Sequence, residues 1–306
     1  MSLKSKITGS TAADKEFQQI IKGILPPKEL FYTSSGNLPF STQNEARVPY
    51  MLSNPYDATV VGTAFDYLAR VIIAKNIKQN KNGAYCNLVA ENGLNVLKKL
   101  VEPQEFKGLQ QKFSNGIGLF EKYVFDENVS IKEIVPTACY LAKLEHIKRS
   151  GIPPQNIQKS LLDNTENEII QDLENLCSVF IDTFIDSNIV NASSVVVFNP
   201  TFGMPSFHCG GADADIFIDG TLYDFKTSKD SGYKWQEIAQ IIGYYLLNCL
   251  ATLIDDPFAH LIDYEIEKLA LYKARYGEIV YFDVCRLDES RLSDTVNTLK
   301  SYFELE

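Results

Sequence analysis

Between Gly210 and Thr227 the chain reads GGADADIFIDGTLYDFKT, a run in which acidic and apolar residues alternate and a lysine stands near the end. Asp219-Gly220 suits the two-residue turn of a β-hairpin, because both positions tolerate positive φ. That turn sets a register in which Ile218 faces Thr221, Phe217 faces Leu222, Ile216 faces Tyr223 and Asp215 faces Asp224. Opposed residues share a sheet face, with Cβ atoms about 4.5–5.5 Å apart. Lys226 lies two residues beyond Asp224 and projects from the same face, and Asp213 is expected opposite it. Two opposed carboxylates repel unless a cation sits between them. Oxygen donors of this kind suit Mg²⁺ or Mn²⁺. A lysine beside them can orient a water and stabilise charge on an attacked phosphate. An exposed acidic hairpin with a neutralising lysine would carry the same residues. The apolar neighbours of Asp215 and Asp224, at the strand ends away from the turn, tip the balance toward a metal site.

Downstream, Gln236, Gln240 and Tyr244 are spaced four apart in a stretch whose apolar pattern predicts a helix over 233–253, so they share one helix face. Asp215 followed by Asp224-Phe225-Lys226 resembles the D…(D/E)xK signature of the PD-(D/E)xK nucleases. Gln240-Ile241-Ile242-Gly243-Tyr244 resembles the QxxxY motif of that superfamily's RecB-like branch. The resemblance spans about residues 193–285. It implies a restriction-endonuclease-like core with metal bound at one sheet edge by Asp215, Asp224 and the Phe225 carbonyl. It further implies that Lys226 positions or activates water, and that Gln240 and Tyr244 sit near the scissile phosphate or brace the lysine. The segment Gly62-Thr63-Ala64-Phe65-Asp66 resembles the GxxxH helix of RecB-like nucleases with aspartate in place of histidine, which makes Asp66 the candidate for a further acidic ligand. A surface pairing with Arg70, four residues on, is the competing role for Asp66; Glu45 and Glu91 are the next candidates for the ligand.

Other residues invite weaker readings. His208-Cys209 has no partner pattern for nucleophilic catalysis and reads as structural; His146 and His260 are isolated. Trp235, the one tryptophan, could stack on a base or anchor the helix that it starts. Tyr272, Lys273, Arg275 and Tyr276 interleave aromatic and basic side chains as a nucleic-acid contact or a twisted edge hairpin would. The six cysteines contain no C-x-x-C pair, which argues against a zinc or iron–sulfur site, and their apolar surroundings argue against disulfides. Lys75, Lys78 and Lys81, with Lys98 and Lys99, read as a solvated helix face.

The elements that must hold the hairpin follow from periodicity and punctuation. Residues 1–59 carry Pro26, Pro27, Pro39, Pro49 and Pro55 and read as irregular, apart from a short helix near 13–23. Residues 60–190 read as a helical region, with helices near 60–74, 84–100, 103–113, 116–125, 130–148 and 166–187. Residues 191–306 read as the nuclease-like core, with strands at 193–198, 214–218, 221–227, 268–272 and 278–284, and a final helix from 290. Fold class is therefore α/β of the α+β kind: a mixed central β-sheet flanked by helices, with a large helical region placed before it or inserted.

The chain has 306 residues, 45% of them hydrophobic, and a net charge of −10. Bulk charge alone would not hold nucleic acid, whereas a bound divalent cation reverses the local sign of an acidic site. No apolar run reaches the ~18 residues of a membrane span. No apolar stretch follows Met1-Ser2-Leu3-Lys4, so a cytoplasmic protein is expected. The expected activity is Mg²⁺- or Mn²⁺-dependent hydrolysis of DNA phosphodiester bonds, with RNA a less favoured substrate. The alternatives are a protein on the same fold that binds nucleic acid or a partner without cutting, and an enzyme acting on a small phosphorylated substrate.

Overall fold

In the computed structural model, which describes residues 2–78, 84–126 and 128–305, a six-stranded sheet runs in the order β1-β6-β5-β4-β3-β2. The strands are β1 (Tyr32–Thr33), β2 (Val196–Phe198), β3 (Ile216–Ile218), β4 (Thr221–Lys226), β5 (Lys268–Lys273) and β6 (Glu278–Asp283). β4 and β5 are parallel, and the other neighbours are antiparallel. The sheet is thus mixed, with helices on both faces.

Side chains alternate across the strands and feed two cores. Ile216, Ile218, Tyr223, Phe225, Ala270 and Tyr272 point to one face. There they meet α3 (Pro55–Ile77), α4 (Val89–Leu97), α5 (Pro103–Phe125), α6 (Ile131–Ser150) and α7 (Asn167–Phe180). Phe217, Leu222, Leu269, Leu271 and Phe282 point to the other. They are covered by α1 (Leu3–Thr8), α2 (Ala12–Lys22), α9 (Trp235–Leu253) and α10 (Glu289–Tyr302), with the short α8 (Gly203–His208) packed against α9.

The N-terminal segment corrects the reading of residues 1–59 as mostly irregular. Ser2 and Ser5 cap each other to start α1, Thr11 and Asp14 do the same for α2, and Tyr32–Thr33 adds the edge strand beside β6. Reciprocal capping satisfies amide donors that a six-residue helix would otherwise leave open. Two expected helices, 103–113 and 116–125, form the single helix α5, and the helix expected from 84 begins at Val89. Lys81, part of the basic cluster, lies outside the described residues. No helix among the described residues is long and apolar enough to cross a membrane.

An aromatic cluster fixes the helical layer to the strands that matter. Phe65 of α3 lies 6.0 Å from Phe225 of β4 and 5.6 Å from Phe180 of α7, ring centroid to centroid. Tyr272 of β5 stacks on Phe65 at 6.3 Å. The residues next to these rings in sequence, Asp66, Asp224 and Lys226, are thereby placed at the sheet end where β4 finishes.

Candidate active site

The β3–β4 hairpin has the register that its turn dictates. Asp219 and Gly220 both take positive φ, 43° and 81°, and Ile218↔Thr221, Phe217↔Leu222 and Ile216↔Tyr223 pair. Asp219 also ties the turn to β2, its Oδ1 accepting from Val195 N at 2.8 Å.

Beyond Ile216 the ladder stops. A continued ladder would bring Ala214 opposite Phe225, but Ala214 N donates to Pro200 O instead. The Asp215 carboxylate steps into the gap, its Oδ2 accepting from Phe225 N at 2.5 Å. N–H and C=O of one strand residue point the same way, so the Phe225 carbonyl also faces this gap. Asp213 does not reach the position opposite Lys226. It bridges to Thr201, and its carboxylate pairs with Arg149 of α6 at 2.9 Å.

These groups line one cavity of about 720 Å³ at the strand ends, between the helical layers. Asp215, Asp224, Phe225 and Lys226 come from the hairpin, Gln240 and Tyr244 from α9, and Asp66 from α3. Gly62 of α3 passes close to Thr227, just past the end of β4, where a Cβ would stand 3.4 Å from its Oγ1. Asp66 lies one helical turn on, aimed past the strand end while Phe65 packs under the sheet. Glu45 and Glu91 do not line the cavity, whereas Glu145 does.

Lys226 is largely buried, with 16% of its side chain accessible. Its ammonium contacts Asp224 Oδ2 and donates to Gln240 Oε1 at 3.1 Å, and Gln240 Nε2 donates to Tyr244 OH at 2.8 Å. The helix motif therefore braces the lysine. Asp224 is 2% exposed, and its Oδ2 meets that ammonium inside the protein.

The electrostatics follow from burying several acids together. Burial, then Asp224, push the Asp215 carboxyl up to about 7, against the pull of Lys226 and the Phe225 N–H. Burial, then Asp215, push Asp66 well above the carboxylate range, with Arg70 opposing. Asp224 is raised by burial although Lys226 lowers it. Burial pulls the Lys226 ammonium down, but Asp224 and Asp215 outweigh it, and the lysine ends above its ordinary value. No group of three or more His, Cys, Asp or Glu among the described residues has the arrangement to hold a metal ion. The carboxylates that line the cavity are those of Asp66, Glu145, Asp213, Asp215, Asp224 and Glu237, and Asp66, Asp215 and Asp224 lie with the Phe225 carbonyl around the end of β4.

Comparison with protein-family models, with curated proteins and with solved structures finds no match to this chain.

The neighbours of the other candidate residues change what each can do. Arg275 is buried: it clamps Asp172 through two hydrogen bonds of 2.8 and 2.7 Å and donates to Thr227 O, so it holds the fold together. Tyr272 and Lys273 are buried too, and the Lys273 ammonium pairs with Glu237 of α9. These side chains are therefore not a free nucleic-acid contact. Trp235 packs against the α9 core with the Lys22 ammonium 4.3 Å from its ring centroid. His208 is exposed and outside the cavity lining, Cys209 is buried, and the six cysteines stand as thiols with no disulfide between them. Conversely, His146 lines the cavity, as do Glu145 and Arg149. Tyr67 OH donates to Glu145 at 2.6 Å and Arg149 Nε to the same carboxylate at 2.7 Å. The four-residue spacing of Glu145 and Arg149 on one helix was the available signal for that pair.

Proposed function

We propose that this protein is a metal-dependent nuclease that hydrolyses phosphodiester bonds in DNA, with the PD-(D/E)xK arrangement as its active site. The observation that carries the reading is the convergence of Asp66 from α3, Asp215 from the lead-in to β3, and Asp224 and Lys226 from β4 on one cavity. Carboxylates packed this closely are unfavourable unless a cation or protons offset them. The buried Asp224 carboxylate, already drawn to one cation in Lys226, has the donor type that a hard divalent cation takes.

Asp215, Asp224 and the Phe225 carbonyl would hold Mg²⁺ or Mn²⁺, with Asp66 as a further acidic ligand. When bound, the ion would lower the pKa of a water and stabilise charge on the phosphate and leaving oxygen. Lys226, released from Asp224 by competition for that oxygen, would orient the attacking water. Gln240 would keep the ammonium in place, and Tyr244 would keep Gln240 in place. The aromatic contact of Phe65 with Phe225 fixes the two elements that carry Asp66 and Asp224.

A non-cleaving binding protein on the same fold is the second reading. The absence of a three-ligand group among the described residues and the Lys226–Asp224 contact favour it. A cleavage assay decides between them. Linear and circular DNA, single- and double-stranded, and RNA are incubated with the protein in Mg²⁺, Mn²⁺ or a chelator, beside Asp224→Asn. Metal-dependent cutting of DNA that the variant lacks is the expected result. Binding without cutting in either metal would establish the second reading.

A further inference from the structure

Among the described residues, five cationic side chains other than histidine line the cavity: Lys4, Arg149, Lys226, Lys234 and Arg275. Four of them already face a carboxylate. Lys226 contacts Asp224, Arg149 pairs with Glu145 and Asp213, Lys234 with Asp230, and Arg275 with Asp172. Lys4 is exposed, and its ammonium makes no ion pair with the described residues. We propose that Lys4 binds a phosphate of the substrate backbone at this cavity, an inference that rests on the nuclease reading above.

Lys4 is held in position by its helix. Leu3, its neighbour, is buried against α9, where a Cβ at Gly243 would come within 3.1 Å of Leu3 Cδ1. Leu3 N donates to Gly211 O at 2.9 Å, which ties α1 to the lead-in of the acidic hairpin. Lys6 donates to Tyr302 OH of α10 at 3.1 Å. The segment is therefore stitched to the hairpin, to α9 and to α10, and Lys4 is carried on a fixed wall of the cavity. An anion entering the site meets mostly neutralised cations, and Lys4 is the exposed one that it can pair with without breaking an ion pair already made. A phosphodiester supplies such an anion at each nucleotide, whatever its base, so the contact adds affinity and no sequence preference.

The test uses wild type, Lys4→Ala, Lys4→Arg and, as a control, Lys15→Ala, an exposed lysine of α2 outside the cavity lining. Each is titrated into a fluorescein-labelled oligodeoxynucleotide at several salt concentrations, and kcat and KM for its cleavage are measured in Mg²⁺. Lys4→Ala is expected to weaken binding about tenfold for every sequence tried and to reduce the salt slope by about one. Lys4→Arg restores most of the loss, and Lys15→Ala matches wild type. Equal affinity and equal slope for Lys4→Ala and wild type would overturn the role of Lys4 while leaving the nuclease reading in place. A wild-type protein that neither binds nor cuts any polynucleotide would overturn the nuclease reading, and this inference with it.

Discussion

Lys226 and Asp215 make opposite demands on the protein. Lys226 neutralises the buried Asp224, so its removal leaves an acid without a counter-charge in addition to removing the group proposed to orient water. Lys226→Ala is therefore expected to lower cleavage at least about 100-fold and to cost about 1–3 kcal/mol of stability. Urea unfolding measured beside the cleavage rate tests both halves. A variant as stable as wild type would show that the Lys226–Asp224 contact contributes nothing to the fold. Asp215 behaves the other way. Its carboxyl ordinarily titrates near 3.8 and in the folded protein near 7, so between those values the folded protein holds more protons than the unfolded chain. Stability of the metal-free protein then falls as pH rises through that window and levels off above it. Asp215→Asn keeps an oxygen for the Phe225 N–H and removes the charge. In chelator it is expected to exceed wild type by on the order of 2 kcal/mol at pH 8, with the advantage fading toward pH 4. Mg²⁺ should reverse the order by stabilising wild type alone. Thermal unfolding over pH, with and without Mg²⁺, is the measurement, and a pH-independent difference would show that the buried charge of Asp215 is not its cause.

At the scale of elements, the hairpin and α9 supply a ready-made pair of acids and a braced lysine, but the third acid depends on how α3 docks. Phe65 seats the helix on Phe225 and Gly62 lies against Thr227, so Asp66 lines the cavity at the strand end. If Asp66 holds a water or a second ion, Asp66→Asn weakens Mg²⁺ about tenfold or more and slows cleavage. Isothermal titration with Mg²⁺ and a rate measurement check this. Unchanged affinity and rate would move the search to Glu145, the other carboxylate of the helical layer in the cavity. The pairing with Arg70 that competed for Asp66 is not an alternative to this role. Arg70 lowers the Asp66 carboxyl, yet burial and Asp215 still dominate it.

Across the whole molecule, the helical layer and the sheet are joined by a buried ion pair as well as by apolar packing. Arg275, at the β5–β6 turn and 1% exposed, grips Asp172 of α7 and the backbone of Thr227 just after the site lysine. Arg275→Ala leaves Asp172 buried and unpaired, and is expected to cost about 3–5 kcal/mol. Pairing Arg275→Met with Asp172→Leu removes both charges and should recover much of that loss. Urea unfolding of the single and double variants gives the comparison, and a double variant no more stable than Arg275→Ala would show that charge burial is not the reason. The clamp explains why an arginine beside a candidate nucleic-acid site is not available to nucleic acid.

The three pairs of the hairpin register, the shared face of Asp224 and Lys226, and the Gln240–Tyr244 spacing were legible in the chain itself, whereas Asp215, expected opposite Asp224, lies beyond the end of the ladder. They depend on short-range rules: a two-residue turn sets the pairing, strands alternate, and helix faces repeat within a turn. Strands β4, β5 and β6, and helices α2, α3, α6 and α9, lay near their expected places for the same reason. Short-range rules could not say where the β3–β4 ladder ends, because Ala214 leaves it for Pro200, a partner on another segment. Nor could they place Arg149 on Asp213, or bury Arg275 on Asp172. They also gave no sign that a proline-broken first segment would fold α1 against α9 and set Lys4 in the cavity. Each of those outcomes is a contact between residues far apart in the chain, decided by which surfaces bury together, and only the tertiary structure contains that information.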